Sequence, residues 1–581
     1  MGHALLRRCR TAALVVALVT PLVAAVHVLP AAAANLVVTD GGDTGAPGQL
    51  RQVVAAAAAG DTITFTVPTV TLTSGEILIA KNLTIRGNGP AATTVTRSGS
   101  APAFRIFEVA SGVTATIDLL TVSGGMSEEG PQVNDGFGGG ILNAGDLTVT
   151  RSVISGNTAD SPRGSAVGGG LYSEAGSKTT ISHSRVINNA VTAANVAEGG
   201  GIEGDGNVTV IDSDVSFNQA SGVKSLGGGI LAFAALTVLD SVVSDNTVAT
   251  TDATGGVAVA GGIDSLGSGP LSVANSVIRG NTAGVATLPI AGTASAILRG
   301  GGVAFESPAT IDRTEIADNS ATGSTNAKGG GIYNQNGRLT LTNTTLGDNS
   351  ADTDGGALFV AGPSTTTLSF ATVAGNGSAG AAITNDPNAT LTLDNSIVAN
   401  TPAAAANCGG PITQTGVNDT FGTNGTCTGA ITADPKLSPL AANGGINRTM
   451  ALASTSPAIN AASGCPASGV DQRGFPRNVG PCDIGAYEFN AVLVDTTPPA
   501  CAIVGVLATN PKQMDVSVQD TGRGVQTINQ ISITNGTVVV PYFTPGTTQS
   551  FNIAAVKTDQ TQRTVWSFHA IDQAGNDKLC T

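Results

Sequence analysis

The sequence predicts an all-β chain in which a long parallel β-helix solenoid is followed by a small β-sandwich. Three observations carry this. A unit of about thirty residues repeats from near Gly138 to about Asn400, reading G-G-G-I, then L-T-V, then S-x-aliphatic, then Asn. Within it, two columns stay aliphatic in all nine repeats. Val149, Ile181, Val210, Val238, Val273, Ile311, Leu341, Leu368 and Leu393 form one, and Ile154, Val186, Val215, Val243, Ile278, Ile316, Leu346, Val373 and Val398 the other. Composition agrees: Gly contributes 77 of 581 residues, aromatics 3% and charged residues only 12%. A chain so poor in charge stays soluble and ordered only if its apolar residues stack in a regular core.

Each element of the repeat has its reason. The position between the second aliphatic column and the preceding Ser (Val153, Arg185, Asp214, Val242, Val277, Glu315) is chemically mixed, as an outward strand position should be. Period-two pieces separated by turn residues are strands, so three short strands per turn are expected. The glycines let the chain re-enter the sheet where a side chain would clash. The Asn column (Asn157, Asn189, Asn218, Asn246, Asn281, Asn319, Asn349, Asn376) falls at a turn. There the amide can bond turn backbone and the Asn of the next coil. At ~4.8 Å per coil, about eleven to twelve coils make a rod on the order of 50–55 Å long.

Flanking segments complete the organisation. Residues 1–34 read as a signal peptide: Arg7, Arg8 and Arg10, an apolar stretch from Ala12 to Leu29, and Ala32-Ala33-Ala34 as an A-x-A-like cleavage site. The rival reading, a retained membrane anchor, is opposed by Pro21, Pro30 and the Ala run. Removing the segment takes away three arginines and no acid, moving the net charge from −14 to −17. Such an acidic exported chain is not expected to bind nucleic acid or to insert into membranes, and it is expected to be a monomer. Residues 35–406 form the β-helix, opening with a short amphipathic capping helix at 47–59 whose Leu50, Val53 and Val54 share a face. Strand-like runs follow at 62–67, 70–72, 77–79, 83–85, 106–109 and 115–122. Residues 407–490, with two cysteine loops and no repeat, read as a distal cap, 491–499 as a stiff linker, and 500–581 as the sandwich.

Cysteine usage fits an oxidising compartment. Cys9 leaves with the signal segment, and Cys408, Cys427, Cys465, Cys482, Cys501 and Cys580 remain. Fifteen pairings are open; keeping pairs within modules favours Cys408–Cys427, Cys465–Cys482 and Cys501–Cys580.

Several motifs carry a family resemblance. Leu50-Arg51-Gln52 with Gly60-Asp61-Thr62-Ile63-Thr64-Phe65 resembles the opening of bacterial right-handed parallel β-helix proteins of the pectate-lyase-like superfamily. The G-G-G-I and I/V-x-x-Asn repeats look like those of polymorphic outer-membrane adhesins, with aliphatics in place of Phe. Asp434-Pro435, Asn443-Gly444-Gly445, Ser456-Pro457-Ala458-Ile459, Asp471-Gln472-Arg473-Gly474 and Cys482-Asp483-Ile484-Gly485-Ala486-Tyr487-Glu488 are similar to the segment named choice-of-anchor Q. Asp520-Thr521-Gly522 and Asp572-Gln573-Ala574-Gly575-Asn576 resemble bacterial Ig-like modules. The resemblance implies a right-handed helix and a secreted or cell-surface protein, and it carries no single activity.

Chemistry is sparser. After the signal segment only His183 and His569 remain, and no His/Cys cluster has zinc spacing. The G-G-x-G-x-D nonapeptide is absent, as are the G-H-G, N-T-D and R-I-K motifs of a β-helical polygalacturonase. The candidate catalytic column lies just before the Ser: Arg151, His183, Asp212, Asp240, Asn275 and Arg313. Successive coils would stack Asp212 and Asp240 about 4.8 Å apart, able to hold calcium or to raise a carboxyl pKa for acid–base work. The competing view is a solvated turn column whose charges pair across coils, and it is preferred. No cofactor is expected.

A Thr column (Thr148, Thr180, Thr209, Thr237 onward) suits exposed strand geometry, and its irregular neighbour argues against ice binding. Asp471, Arg473, Asp483 and Glu488 are expected to close the last coil through ion pairs. Variable polar loops at 247–260 and 282–299 are expected to form one flank, the binding face for an extracellular polysaccharide or a surface protein. The expectation is an adhesin-like or structural binding protein with glycan as a candidate ligand, and catalysis is left open with the balance against it. The alternative is a polysaccharide lyase or glycoside hydrolase using carboxylates on the helix face.

Overall fold

The computed structural model describes residues 33–128, 136–286, 294–399, 404–423, 425–465, 469–477, 481–508 and 511–581. Nearly all of the signal segment, with Cys9, lies outside them. Parallel ladders run the length of the repeat region. The L-T-V strands stack in one sheet of fourteen, from Asn35–Val38 to Thr413–Thr415, and the S-x-aliphatic strands in one of thirteen, from Thr69–Leu72 to Asp419–Phe421. The register is the one the repeat spells: Thr180 pairs with Thr209 and Val210 with Val238. Fourteen coils rather than eleven to twelve give a rod of about 62 Å at ~4.8 Å per coil. The extra coils come from both ends, where strands without the glycine triplet continue the same ladders.

Inward aliphatics from the three expected strands, including Ile202, Val210 and Val215, form one continuous buried core. The capping helix is shorter than expected, Leu50–Ala56, and buries Leu50 and Val54 on the first coil. The run expected at 115–122 is two strands, Thr114–Asp118 and Thr121–Ser123, divided by Leu119 at φ 56°.

The Asn column is a buried amide ladder. Asn189 Nδ2 donates to Asn218 Oδ1 at 3.0 Å, Asn218 to Asn246 at 3.0 Å and Asn246 to Asn281 at 3.0 Å. Each Oδ1 also accepts the preceding Asn's backbone N–H. The Ser column forms a second ladder, in which Ser184 N–H donates to Ser213 Oγ at 3.1 Å. The glycine triplet marks close approach. A Cβ on Gly169 would lie 2.4 Å from the carbonyl oxygens of Ala190 and Gly200, while Gly168 turns through φ 63°.

The middle coils have five strands, not three. The segments expected to be loops contain strands such as Gln219–Gly222 and Lys224–Leu226, and Thr247–Thr250 and Val257–Val259. The first of each pair joins a fourth ladder and the second a sheet of seven. They do form one flank, but as a fin with its own core of small residues, among them Ala159, Ala166, Ala197, Ala220, Ala258 and Ala283. Residues 287–293 of the second expected loop lie outside the described residues.

Beyond the last coil the chain doubles back. The cap packs along the outer face of the third-strand sheet: Ile484 and Leu452 pack with Ile397 and Ala399, and Gln472 accepts from Thr345 at 2.6 Å. Disulfides join Cys408 to Cys427, Cys465 to Cys482 and Cys501 to Cys580. The C-terminal residues form two small antiparallel sheets, of four and three strands, around Val516, Phe551 and Phe568. This module lies back along the corner between the second and third sheets of the helix.

Candidate functional site

That corner is where the sequence placed its candidate residues. The chain must turn between sheets within two residues, such as Arg151 and Ser152, and the first of each pair adopts the left-handed conformation. The φ values are 48° at Arg151, 48° at His183, 46° at Asp212, 50° at Asp240, 49° at Asn275 and 47° at Arg313. Asn and Asp tolerate this region best among non-glycine residues. The side chains leave the core here and stack coil upon coil.

They do not form an open face. Arg151 donates to both Asp118 oxygens, at 2.6 Å to Oδ2, and to Asp515 of the C-terminal module at 2.7 Å. Arg86 meets the same Asp515 at 2.7 Å. Burial alone would raise the Asp515 carboxyl, but Arg86 and Arg151 outweigh it and hold it below the usual range. Asp212 accepts the Thr544 amide at 2.5 Å, and the Thr544 hydroxyl donates to the Asp240 carbonyl at 2.6 Å. Leu119, Ala554 and Val556 add an apolar contact. Asp212 is 0% exposed and Asp240 2%. The expected solvated turn column is therefore an interior seam seating residues 304 to 401 positions distant in sequence. Asp240 also accepts from Asn275 at 2.5 Å, and burial pushes its carboxyl up. Both acids thus have internal donors where calcium was considered.

Part of the column keeps a cleft. A cavity of about 430 Å³ between helix and module is lined by Arg151, His183, Arg185, Pro541 and Tyr542. His183 Nδ1 lies 3.3 Å from Asp212 Oδ2, although neither atom completes an aligned hydrogen bond. Burial pushes the Tyr542 phenol upward. A His beside a carboxylate, sharing a cavity with a tyrosine, is an acid–base arrangement among the described residues of the corner.

The fin makes a second concentration of titratable groups, which sequence spacing did not single out. Between the fin and the outer face of the G-G-G-I strands, Leu226, Leu231, Val259 and Ala304 form an apolar wall. Glu203 and Asp264 are buried in that same column, and Glu203 Oε2 and both Asp264 oxygens lack hydrogen-bond partners. Burial, with Glu198 and Asp205 near Glu203 and with Glu306 near Asp264, pushes both carboxyls well above the usual range. Further along, Tyr333 and Phe359 stack at 5.4 Å, with Arg299 over the first ring and Lys328 over the second.

A third group is the strongest candidate for a cation. Carboxylate oxygens of Asp495, Asp520 and Asp572 lie within 4.8 Å of one another. They also accept from the Arg523 amide, the Gly524 amide and Asn576 respectively, which organises the loops without any ion. In the cap, Arg473 pairs with Asp471 at 2.7 Å and Arg477 with Glu488 at 3.2 Å. Both pairs lie within the cap and brace its own fold, while Arg448 reaches across to Glu315 of the helix at 2.5 Å. Arg477, fully buried, also donates to Asn343 of the corner column at 3.0 Å and lies over the Phe370 ring.

Solved structures similar to this chain include two crystal structures. One is the crystal structure of bacteriophage CBA120 tailspike protein 3, with TM-score 0.34 and 11% identity, covering 67% of this chain and 62% of that one. The other is the crystal structure of pectate lyase Pel9A, with TM-score 0.31 and 14% identity, covering 79% and 96%. The chain thus spans less than two thirds of the tailspike chain. At these scores neither likeness carries a functional argument. The assignment as a parallel β-helix stands on the strand registers themselves. No family model and no curated protein matches the chain.

Proposed function

We propose that this is an exported, surface-associated or secreted β-helix protein that acts as a rigid, glycan-binding or adhesin-like module. The observation that supports this best is the covering of the corner column: among the described residues, Arg151, Asp212 and Asp240 engage the chain's own C-terminal module rather than an open groove. Three disulfides fit an oxidising compartment, and residues 1–34 supply the export signal in this reading. No helix among the described residues is long and apolar enough to cross a membrane. The helix is right-handed in this proposal, the hand that parallel crossovers take in almost all proteins. Its repeats belong with those of polymorphic outer-membrane adhesins, its cap with choice-of-anchor Q segments and its final module with bacterial Ig-like domains. Affinity electrophoresis through gels containing neutral or acidic polysaccharides tests the proposal. Retardation by at least one glycan is expected, and unretarded migration in all of them counts against it.

A second reading is a polysaccharide lyase or hydrolase. What favours it is the 430 Å³ cleft, where His183 sits 3.3 Å from Asp212 with Tyr542 on the opposite wall. In that reading His183 would act as the base, held by Asp212.

A further inference from the structure

Where the β-helix, the cap and the C-terminal module meet, they enclose a cavity of about 140 Å³. Each part contributes one arginine to its wall: Arg313 from the corner column, Arg473 from the cap and Arg523 from the module. Three guanidinium groups facing one small space need compensation, because a partly buried charge without a partner is costly.

The three differ in how fully they are satisfied. Arg473 is committed. It donates to Asp471 Oδ2 at 2.7 and 2.9 Å and to the Glu488 carbonyl at 2.7 Å, and it lies between the Phe475 and Tyr487 rings. Arg313 uses only Nε, toward Asp312 at 3.0 Å, which leaves both terminal nitrogens without a hydrogen bond among the described residues. Arg523 stacks over Phe475 at 5.2 Å, and its side chain makes no hydrogen bond or ion pair among the described residues. Its Nε is buried without a partner. Asp495 feels the charge of Arg523 but spends its oxygens on Thr497 and the Arg523 backbone amide.

The walls are tied together. Gln573 and Gly445 exchange two hydrogen bonds across the junction, at 3.0 and 3.3 Å. The cavity has room for about four or five waters at ~30 Å³ each, and so for one small oxyanion.

We infer that this junction binds a single oxyanion, a carboxylate or a sulfate group, held by the free donors of Arg523 and Arg313 with Arg473 as fixed positive wall. A guanidinium presents parallel donors that match two oxygens of such a group. The bound anion would bridge module and helix, tightening the seam that covers the corner column. This site stands independently of the glycan-binding proposal, since a free anion satisfies it as well as an acidic sugar.

The test uses the full chain, titrated with sodium sulfate and with sodium glucuronate against sodium chloride at matched ionic strength. Calorimetry and thermal unfolding are the readouts. Saturable binding and stabilisation by sulfate, glucuronate or both is expected, weakened about tenfold or more in Arg523→Gln and in Arg313→Gln, the loss expected for a charged hydrogen bond. Sulfate alone identifies a tetrahedral anion; glucuronate identifies the carboxylate of an acidic sugar. Arg523→Lys keeps the charge and gives an intermediate affinity, which guards against misfolding of the Gln variant. Stabilisation equal to that by chloride, or affinity unchanged in both Gln variants, overturns the inference.

Discussion

Replacing Asn246 by Ala would test the amide ladder as the device that locks coil to coil. The Asn246 side chain makes four hydrogen bonds in the structure. Its Oδ1 accepts the Asn218 backbone N–H at 2.9 Å and Asn218 Nδ2 at 3.0 Å, and its Nδ2 donates to the Val215 carbonyl at 2.9 Å and to Asn281 Oδ1 at 3.0 Å. Truncation strands the Asn218 backbone N–H and one of its two Nδ2 hydrogens, the other staying on the Val186 carbonyl, in a site where Asn218 is 1% and Asn246 0% exposed. Each buried unsatisfied polar group costs about 1–3 kcal/mol, so the variant should lose about 2–6 kcal/mol. The Asn281 oxygen keeps its bond from the Asn246 backbone, so the damage is confined to the N-terminal neighbour. Equilibrium urea unfolding of the two proteins measures the loss, and solenoid coupling predicts a local melting step as well as a lower midpoint. A loss below about 1 kcal/mol would refute the reasoning, because it would mean that water or relaxation replaces the ladder freely.

The other predictions concern charge. Glu203 and Asp264 are raised in the folded state by burial, and unfolding returns them to ordinary carboxylates. Folding therefore takes up protons: their contribution is full below about pH 4 and declines as pH rises from there through the raised folded values. Asp419, pushed by burial to about 7, adds in the same sense. The urea midpoint should accordingly be higher at pH 5 than at pH 7.5, and Glu203→Gln with Asp264→Asn should flatten that difference; an unchanged slope in the double variant would count against it. Asp515→Ala removes the acid shared by Arg86 and Arg151, and breaking such a buried network costs about 3–5 kcal/mol. Limited proteolysis should then cut residues 491–499 faster than in the parent, whereas equal rates would mean the module is held by other contacts.

The three main ladders were legible because their inward positions accept only one kind of side chain. A strand two coils away from Val210 still needs an aliphatic there, so the column survives every insertion. The fin escaped notice because its strands are short and its core is mostly Ala. Ala220 beside Gln219 and Ser221 has no apolar contrast, and such segments read as polar loops. The corner column was visible as a run of Arg, His, Asp and Asn; its left-handed turn favours the Asp, Asn and His, whereas the Arg residues are held there by their ion pairs. Its covering was not visible, because Asp515 and Thr544 are separated from their partners by hundreds of residues and no local period connects them. Glu203 and Asp264 were hidden in a position that is outward in the coil and becomes interior only when the fin folds over it. Arg477 gave no signal beyond a charge in a cysteine loop, yet it is among the largest fully buried side chains.

The most direct test of the central claim is turnover. The full chain would be incubated with a panel of neutral and acidic polysaccharides, with and without calcium, and the products followed by reducing-end and unsaturated-product assays. A seam occupied by the chain's own module predicts glycan retention with no shortening of any polymer. Depolymerisation that Asp212→Ala or Asp240→Ala abolishes, while the fold survives, would contradict it and make the corner column an active site.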